Sequence, residues 1–221
     1  MKNPNQTLLR ILGVLVALLV PLALLLSATR LVLTPTYVSL EYHSPGFPAD
    51  TYGMTLEQRL TYAPLALDYL LNDEGIDFLA DQTFEDGSPL YNQRELGHMD
   101  DVKALTQILL KVWFTVLALI LLLALWAWRG EWLPEFKAML SRGGLVTLLA
   151  IRAVLLFAAL SFNAFFTSFH RIFFEGDSWL FLYSDTLIRL FPLRFWRDVV
   201  IVIGALTIGG AAALWRGLRS R

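Results

Sequence analysis

His98 and His170 are the residues of this chain whose chemistry best suits proton transfer at neutral pH. An imidazole titrates near pH 6.5, so one ring can act as a general base and a second as a general acid. Acyl transfer from an ester to an amine needs both, because the amine loses a proton and the leaving alkoxide gains one. Charged and apolar residues flank each histidine, and the pair is therefore a candidate catalytic site.

The composition excludes several other chemistries. The 221 residues include no cysteine, which excludes disulfides, thiolate metal ligands and a cysteine nucleophile. Neither a Walker-type loop nor a GxGxxG fingerprint is present, so nothing indicates nucleotide chemistry. The formal net charge of −1 provides no general basic surface, and we expect no nucleic-acid partner. The third histidine, His43, follows Tyr42 in an acidic segment, and we expect it to be structural or at the surface.

The elements that position the two histidines belong to an unusually apolar chain. Hydrophobic residues make up 56% of it and charged residues 17%, whereas soluble domains are about 45–50% apolar and about 25% charged. Four segments are long enough to cross a hydrocarbon core of about 30 Å. They are residues 11–32, 105–128, 145–169 and 199–214. In the last, Ala205, Gly209 and Ala213 recur four apart, which predicts a close-packed helix face.

The distribution of charge predicts the orientation. Residues 1–10, 129–142 and 216–221 carry eight basic and two acidic residues, whereas residues 34–103 carry thirteen acidic and three basic. The positive-inside rule then places both termini in the cytoplasm and residues 34–103 outside. The predicted fold class is an all-α integral membrane protein with four transmembrane helices, a small extracytoplasmic domain and an interfacial aromatic loop. The predicted parts are residues 1–33 (cytoplasmic N-terminus and first span), 34–103 (acidic extracytoplasmic domain), 104–169 (helical hairpin with the cytoplasmic loop 129–142), 170–197 (interfacial loop) and 198–221 (fourth span and basic tail).

Both outer segments carry local structure signals. Thr55 and Gln58 resemble a capping box that starts a helix ending near Leu71. In the loop 170–197, Ser184 or Asp185 can cap a short helix that stops before Pro192. The many aromatic residues of that loop favour the bilayer surface, as an anchor, as a surface that grips acyl chains, or as both.

A depth count predicts that the two histidines meet. The short loop 129–142 makes the second and third spans antiparallel, and His98 and His170 lie about 31 and about 28 residues from it. At 1.5 Å per residue of continuous helix these distances are roughly 46 Å and 42 Å, which places both rings near the outer interface.

Four neighbouring residues are candidates for supporting roles in the site. Arg171 could help to stabilise an oxyanion, and Trp179 lies in the same run. Asp100 or Asp101 could join both histidines around a zinc ion, although the chain has no HExxH motif and we predict no metal.

The histidine runs GHMDDVKAL (from Gly97) and FHRIFFEGDSW (from Phe169) resemble the paired signatures of the bacterial lipoprotein intramolecular transacylase family. The resemblance extends to YGMTLEQRL (from Tyr52), RELGHM (from Arg94) and DTLIRLFPLRFW (from Asp185). It covers residues 50–197, and the two histidine runs are its specific part.

The resemblance implies an activity and its catalytic residues. The family acts on lipoproteins whose N-terminal cysteine carries a diacylglyceryl thioether. It moves the sn-2 acyl chain from glycerol to the α-amino group of that cysteine, which gives the lyso-form. It needs no cofactor, and its two catalytic histidines match His98 and His170. The implied location is the outer leaflet of the bacterial cytoplasmic membrane, with the diacylated lipoprotein and membrane lipids as partners.

Two other classes of function stay open at this point. A non-catalytic, lipoprotein-binding membrane module would use the acidic domain as its docking surface and would still bind after loss of both histidines. A zinc-dependent membrane hydrolase would lose activity when its metal is removed. The sequence predicts no particular oligomeric state.

Overall fold

The computed structural model describes residues 5–218, and this part of the chain is almost entirely helical. In chain order the helices of the described residues are α1 (Gln6–Val32), α2 (Pro35–Tyr42), α3 (Leu56–Leu71), α4 (Asp77–Ala80), α5 (Gln93–Arg129), α6 (Leu133–Leu160), α7 (Phe162–Phe173), α8 (Thr186–Leu190) and α9 (Leu193–Gly217). Four of them, α1, α5, α6 and α9, are long and apolar enough to cross a membrane. The predicted all-α class with four spanning helices is confirmed.

The chain divides into two compact units. The first, here the apolar unit, comprises residues 5–30, 110–159 and 201–218 within the described part. One of its buried clusters joins Val16 and Val20 of α1 to Phe136 and Met139 of α6, with Trp132 beside them. Because these side chains come from two spanning helices, their burial holds α1 against α6.

Glycines allow the helices of the apolar unit to approach closely. A Cβ atom added at Gly143 would lie 2.7 Å from Cβ of Val20 on α1, and one at Gly144 would lie 2.7 Å from the carbonyl oxygen of Ala211 on α9. The hydroxyl of Ser141 also donates a hydrogen bond to the carbonyl oxygen of Trp215, 2.9 Å away. The stretch around Gly143 is therefore the close-contact face of α6.

The packing face predicted for the fourth span is wrong. Ala205, Gly209 and Ala213 are exposed in the apolar unit, whereas the neighbouring register of α9 is buried. That register includes Gly204, which approaches Leu155 of α6, and Ala211. Small residues occur in both registers of α9, so their spacing alone did not identify the packed face.

The second unit, here the histidine unit, comprises residues 31–109 and 160–200. Its core is formed by helices α2, α3, α4, α5 and α8, the segment before α5 and the start of α9, and its most buried members include Tyr69, Leu79, Leu90 and Leu190. The hydroxyl of Tyr42 donates to the carbonyl oxygen of Leu190 (2.8 Å), which ties α2 to the end of α8. This core positions the start of α5 and the segment that follows α7.

Two predicted helices in the histidine unit are confirmed, although the side-chain cap expected for the second is not formed. Helix α3 begins with the expected reciprocal capping box between Thr55 and Gln58 and ends at Leu71. Helix α8 has Asp185 at its N-cap position and ends before Pro192. Asp185 makes no side-chain capping bond there, because its Oδ2 accepts a hydrogen bond from the amide of Leu182 instead.

The third predicted span, residues 145–169, is not one helix. Helix α6 ends at Leu160 and α7 begins at Phe162. Between them Ser161 is extended, with φ −156° and ψ 95°, and its hydroxyl accepts a hydrogen bond from the amide of Ala164. Ser161 therefore caps a new helix, and the assumption of continuous helix up to His170 is wrong.

Candidate active site

His98 lies in the second turn of α5, ahead of the apolar stretch of that helix. Residues 93–103 include five charged side chains, so this part of α5 precedes the membrane-spanning segment. Asn92 fixes the helix start, since its Oδ1 accepts hydrogen bonds from the amides of Arg94 (3.0 Å) and Glu95 (3.1 Å). The His98 side chain is 8% exposed.

His170 lies near the end of α7, a short aromatic helix outside the four spans. Its Nδ1 is 2.8 Å from the backbone carbonyl oxygen of Phe166. A carbonyl oxygen can only accept, so Nδ1 carries the proton of the neutral ring. The lone pair of that imidazole is then on Nε2, which is the atom available to take up a proton.

The two imidazoles face each other. Their ring centroids are 6.0 Å apart and the ring planes are inclined by 25°. The predicted meeting of His98 and His170 is therefore present, although they lie on helices α5 and α7 and not on two continuous spans. Two rings at this separation can both contact one reacting centre.

Aromatic side chains enclose the pair. Phe174 and Phe181 contact His98 edge-on, with centroids 5.0 Å and 5.3 Å away. The Trp179 ring is 4.9 Å from His170, and its Nε1 donates to the carbonyl oxygen of Gly176 (3.2 Å). The loop after α7 thus contributes an apolar wall to the site, and Trp179 lies where the sequence suggested.

Burial changes the protonation of both histidines. It lowers the pKa of His98 to about 4, with a further lowering from the charge of His170. Burial also lowers the pKa of His170, opposed by its hydrogen bond to Phe166. Desolvation disfavours an imidazolium, so both rings are neutral at pH 7.

The other candidate residues have different surroundings. Asp100 is exposed and accepts a hydrogen bond from the hydroxyl of Tyr69 (3.1 Å), and Asp101 is exposed on the next position of α5. Arg171 is exposed in the last turn of α7. Within residues 5–218, no three His, Asp or Glu side chains are grouped as metal ligands would be.

Glu95 is a buried residue beside the site, and the sequence reasoning did not single it out. Its carboxylate is almost fully buried, one turn before His98. A signal was available, because Asn92 and Glu95 are spaced like the two members of a capping box at a helix start. The aromatic wall formed by Phe174 and Phe181 was visible only as part of a generally aromatic loop.

Four apolar helices and a histidine pair enclosed by aromatic side chains define the chain as a multi-pass integral membrane protein with a candidate proton-transfer site. Residues 14–196 match the family model described as lipoprotein intramolecular transacylase Lit. The match covers most of the chain and includes both histidines. The chain belongs to this family of membrane acyltransferases.

The chain is also similar to individual relatives. It is 28% identical over 211 residues to an uncharacterized protein of Aquifex aeolicus (strain VF5), covering 95% of this chain and 94% of the other. It shares its fold with the membrane integral lipoprotein intramolecular transacylase Lit of Bacillus cereus, with a TM-score of 0.67, 19% identity and 97% coverage of both chains. A histidine-to-arginine variant of that protein superimposes with a TM-score of 0.72 and 19% identity, over 96% of this chain and 91% of the other.

Proposed function

We propose that this protein moves the sn-2 acyl chain of a diacylglyceryl-modified lipoprotein from glycerol to the α-amino group of its N-terminal cysteine. The observation that carries this proposal is the neutral, aromatic-enclosed pair of His98 and His170, with ring centroids 6.0 Å apart. The product is the lyso-form, which has an N-acyl group and a monoacylglyceryl group. Amine and ester belong to one molecule, so the reaction benefits from proximity and needs no second substrate.

The tautomer of His170 favours it as the general base. Its Nδ1 proton is held by the carbonyl oxygen of Phe166, so Nε2 faces the reaction as an acceptor. The amine nitrogen attacks the ester carbonyl carbon, the amide C–N bond forms, and Nε2 takes the amine proton. The bond from the carbonyl carbon to the sn-2 oxygen then breaks. His98 donates its ring proton to that oxygen, which gives the glycerol hydroxyl, and regains a proton from the imidazolium of His170.

The position proposed for this site is the outer leaflet. The positive charge of residues 1–10, 129–142 and 216–221 supports cytoplasmic termini. Helix α7 then starts at the outer end of α6 and presents exposed Phe169, Ile172 and Phe173. A helix with such an apolar face suits the acyl–headgroup boundary, where the ester of a diacylated lipoprotein lies.

The pH dependence of the rate has an expected form. A free α-amine has a pKa of about 7.7–8.0, so kcat/KM rises about six- to eightfold between pH 6.5 and 7.5 as the substrate deprotonates. Burial lowers the pKa of both histidines, so their protonation adds a further loss of rate only below pH 6.5. Initial rates with a diacylglyceryl peptide in detergent micelles from pH 4.5 to 8.5 measure this. A steeper slope that begins at or above pH 6.5 contradicts a pair of histidines that are neutral at pH 7.

Expression in bacteria that make only diacylated lipoproteins tests the activity. The N-terminal peptide of an abundant lipoprotein is analysed by tandem mass spectrometry, because intramolecular transfer leaves the intact mass unchanged. We expect an amide-linked chain on the cysteine and one ester on the glycerol. A free amine with two esters, from verified expressed protein, favours a non-catalytic lipoprotein-binding module. Loss of activity on metal removal supports a zinc-dependent enzyme.

A further inference from the structure

Glu95 is a buried carboxylate that the proton-transfer chemistry does not use. Its side chain is 1% exposed, in a helical turn that faces the core of the histidine unit. A carboxylate is costly to bury unless its oxygens accept hydrogen bonds. The partners of this carboxylate therefore indicate why it is there.

The two oxygens of Glu95 serve the starts of two different helices. Oε2 accepts from the amide of Asn92 (2.8 Å), at the start of α5. Oε1 accepts from the amide of Leu187 (2.7 Å), in the first turn of α8. Asp185, at the N-cap position of α8, provides no capping bond of its own. Glu95 therefore caps α8 from a distant part of the chain and joins it to α5.

Two neighbouring contacts extend this junction along the loop before α8. The amide nitrogen Nδ2 of Asn92 donates to Oδ1 of Asp185 (3.2 Å). The guanidinium of Arg94 donates to the carbonyl oxygen of Leu180 (3.1 Å). The next residue, Phe181, packs its ring against His98. The first two turns of α5 and the preceding Asn92 thus position His98 and also hold the loop that packs on it.

On the basis of the function proposed above, we infer that Glu95 is a positioning residue, which fixes the His98 ring against the loop of residues 180–187. The role requires two acceptor oxygens, because one accepts a hydrogen bond from the amide of Asn92 before α5 and the other from the amide of Leu187 in α8. Glutamine has only one acceptor and would direct its NH₂ group at a backbone N–H. Glu95→Gln keeps the size of the side chain and breaks one of the two junctions.

The test compares Glu95→Gln with Glu41→Gln, the same change at another buried glutamate, on α2. For Glu95→Gln we expect kcat to fall roughly ten- to a hundredfold with KM within about twofold, because misplacement affects chemistry more than binding. Glu41→Gln should keep the wild-type kcat. The second readout is NMR of histidine-labelled protein, where three histidines give few signals. The His98 signals should shift in Glu95→Gln and stay in place in Glu41→Gln.

Arg94→Ala covers the case in which Glu95→Gln does not fold. It removes an exposed side chain that holds Leu180, so we expect a fall in kcat of a few fold and a smaller shift of the His98 signals in the same direction. Unchanged His98 signals and kcat in Glu95→Gln overturn the inference. The inference is also overturned if Glu95→Gln does not fold and Arg94→Ala has the kcat and the His98 signals of the wild type. An inactive wild-type protein contradicts the proposed function alone, because the NMR comparison needs no turnover.

Discussion

His170→Ala is expected to lower the rate of N-acylation by about 10²–10⁴-fold, the usual contribution of positioned proton transfer. The variant removes Nε2 of His170. The lone pair of Nε2 is free because the ring proton is on Nδ1, which donates to the carbonyl oxygen of Phe166. His98→Ala should cause a loss of similar size, since the proton needs both rings to reach the glycerol oxygen. The double variant should be little slower than either single variant, because the two residues act as a unit. Initial rates by quantitative mass spectrometry of the N-acylated peptide measure all three.

His43→Ala is the matched control. Nδ1 of His43 lies 2.7 Å from the carbonyl oxygen of Ser39, the same local contact that His170 makes with Phe166. His43 is exposed, however, and among the described residues 5–218 no aromatic ring packs against it as rings do against His98 and His170. We expect His43→Ala to have the rate of N-acylation and the melting temperature of the wild type. A wild-type rate in His170→Ala or His98→Ala contradicts the catalytic pair.

Gly144→Ala is expected to destabilise the apolar unit by about 1–3 kcal/mol, the range for overpacked cores. The new Cβ would lie 2.7 Å from the carbonyl oxygen of Ala211 and 3.0 Å from the amide nitrogen of Trp215. Both atoms belong to the α9 backbone, which cannot move aside as a flexible side chain does. Helices α6 and α9 must therefore separate, with loss of their packing. Thermal unfolding in detergent measures the effect as a lower melting temperature.

Gly209→Ala is the control for that prediction. Gly209 lies on α9 with no atom within 4 Å of an added Cβ. Alanine is the better helix former by about 1 kcal/mol, so this variant should be as stable as the wild type or more so. Equal melting temperatures for Gly144→Ala and the wild type contradict close contact between α6 and α9.

The sequence predicted that His98 and His170 meet, but it did not predict which helices carry them. His98 and His170 stood out because few side chains here titrate near neutrality, and their runs resembled one family. The break at Ser161 was not predictable from hydropathy, since a serine within an apolar run is compatible with a continuous span. Its hydroxyl caps α7 and separates His170 from the third span.

Contacts between distant segments account for what else was missed. The capping signal at Asn92 and Glu95 is local, but the second partner of Glu95, the amide of Leu187, depends on the tertiary fold. The packed face of α9 likewise depends on which register meets Leu155 and Gly144. Local patterns predicted the helices α3 and α8, but only α3 starts with a complete local signal, the capping box of Thr55 and Gln58.

The central claim is intramolecular transfer of one particular chain by the histidine pair. The most direct measurement uses purified protein in vesicles of unlabelled phospholipid and a diacylglyceryl peptide with a deuterated sn-2 chain. Fragmentation of the product should place the deuterated chain in the amide, at unchanged intact mass, with wild-type protein and not with His170→Ala. An unlabelled amide chain, with a mass increase of one acyl group, would mean that phospholipid is the donor and would contradict the account.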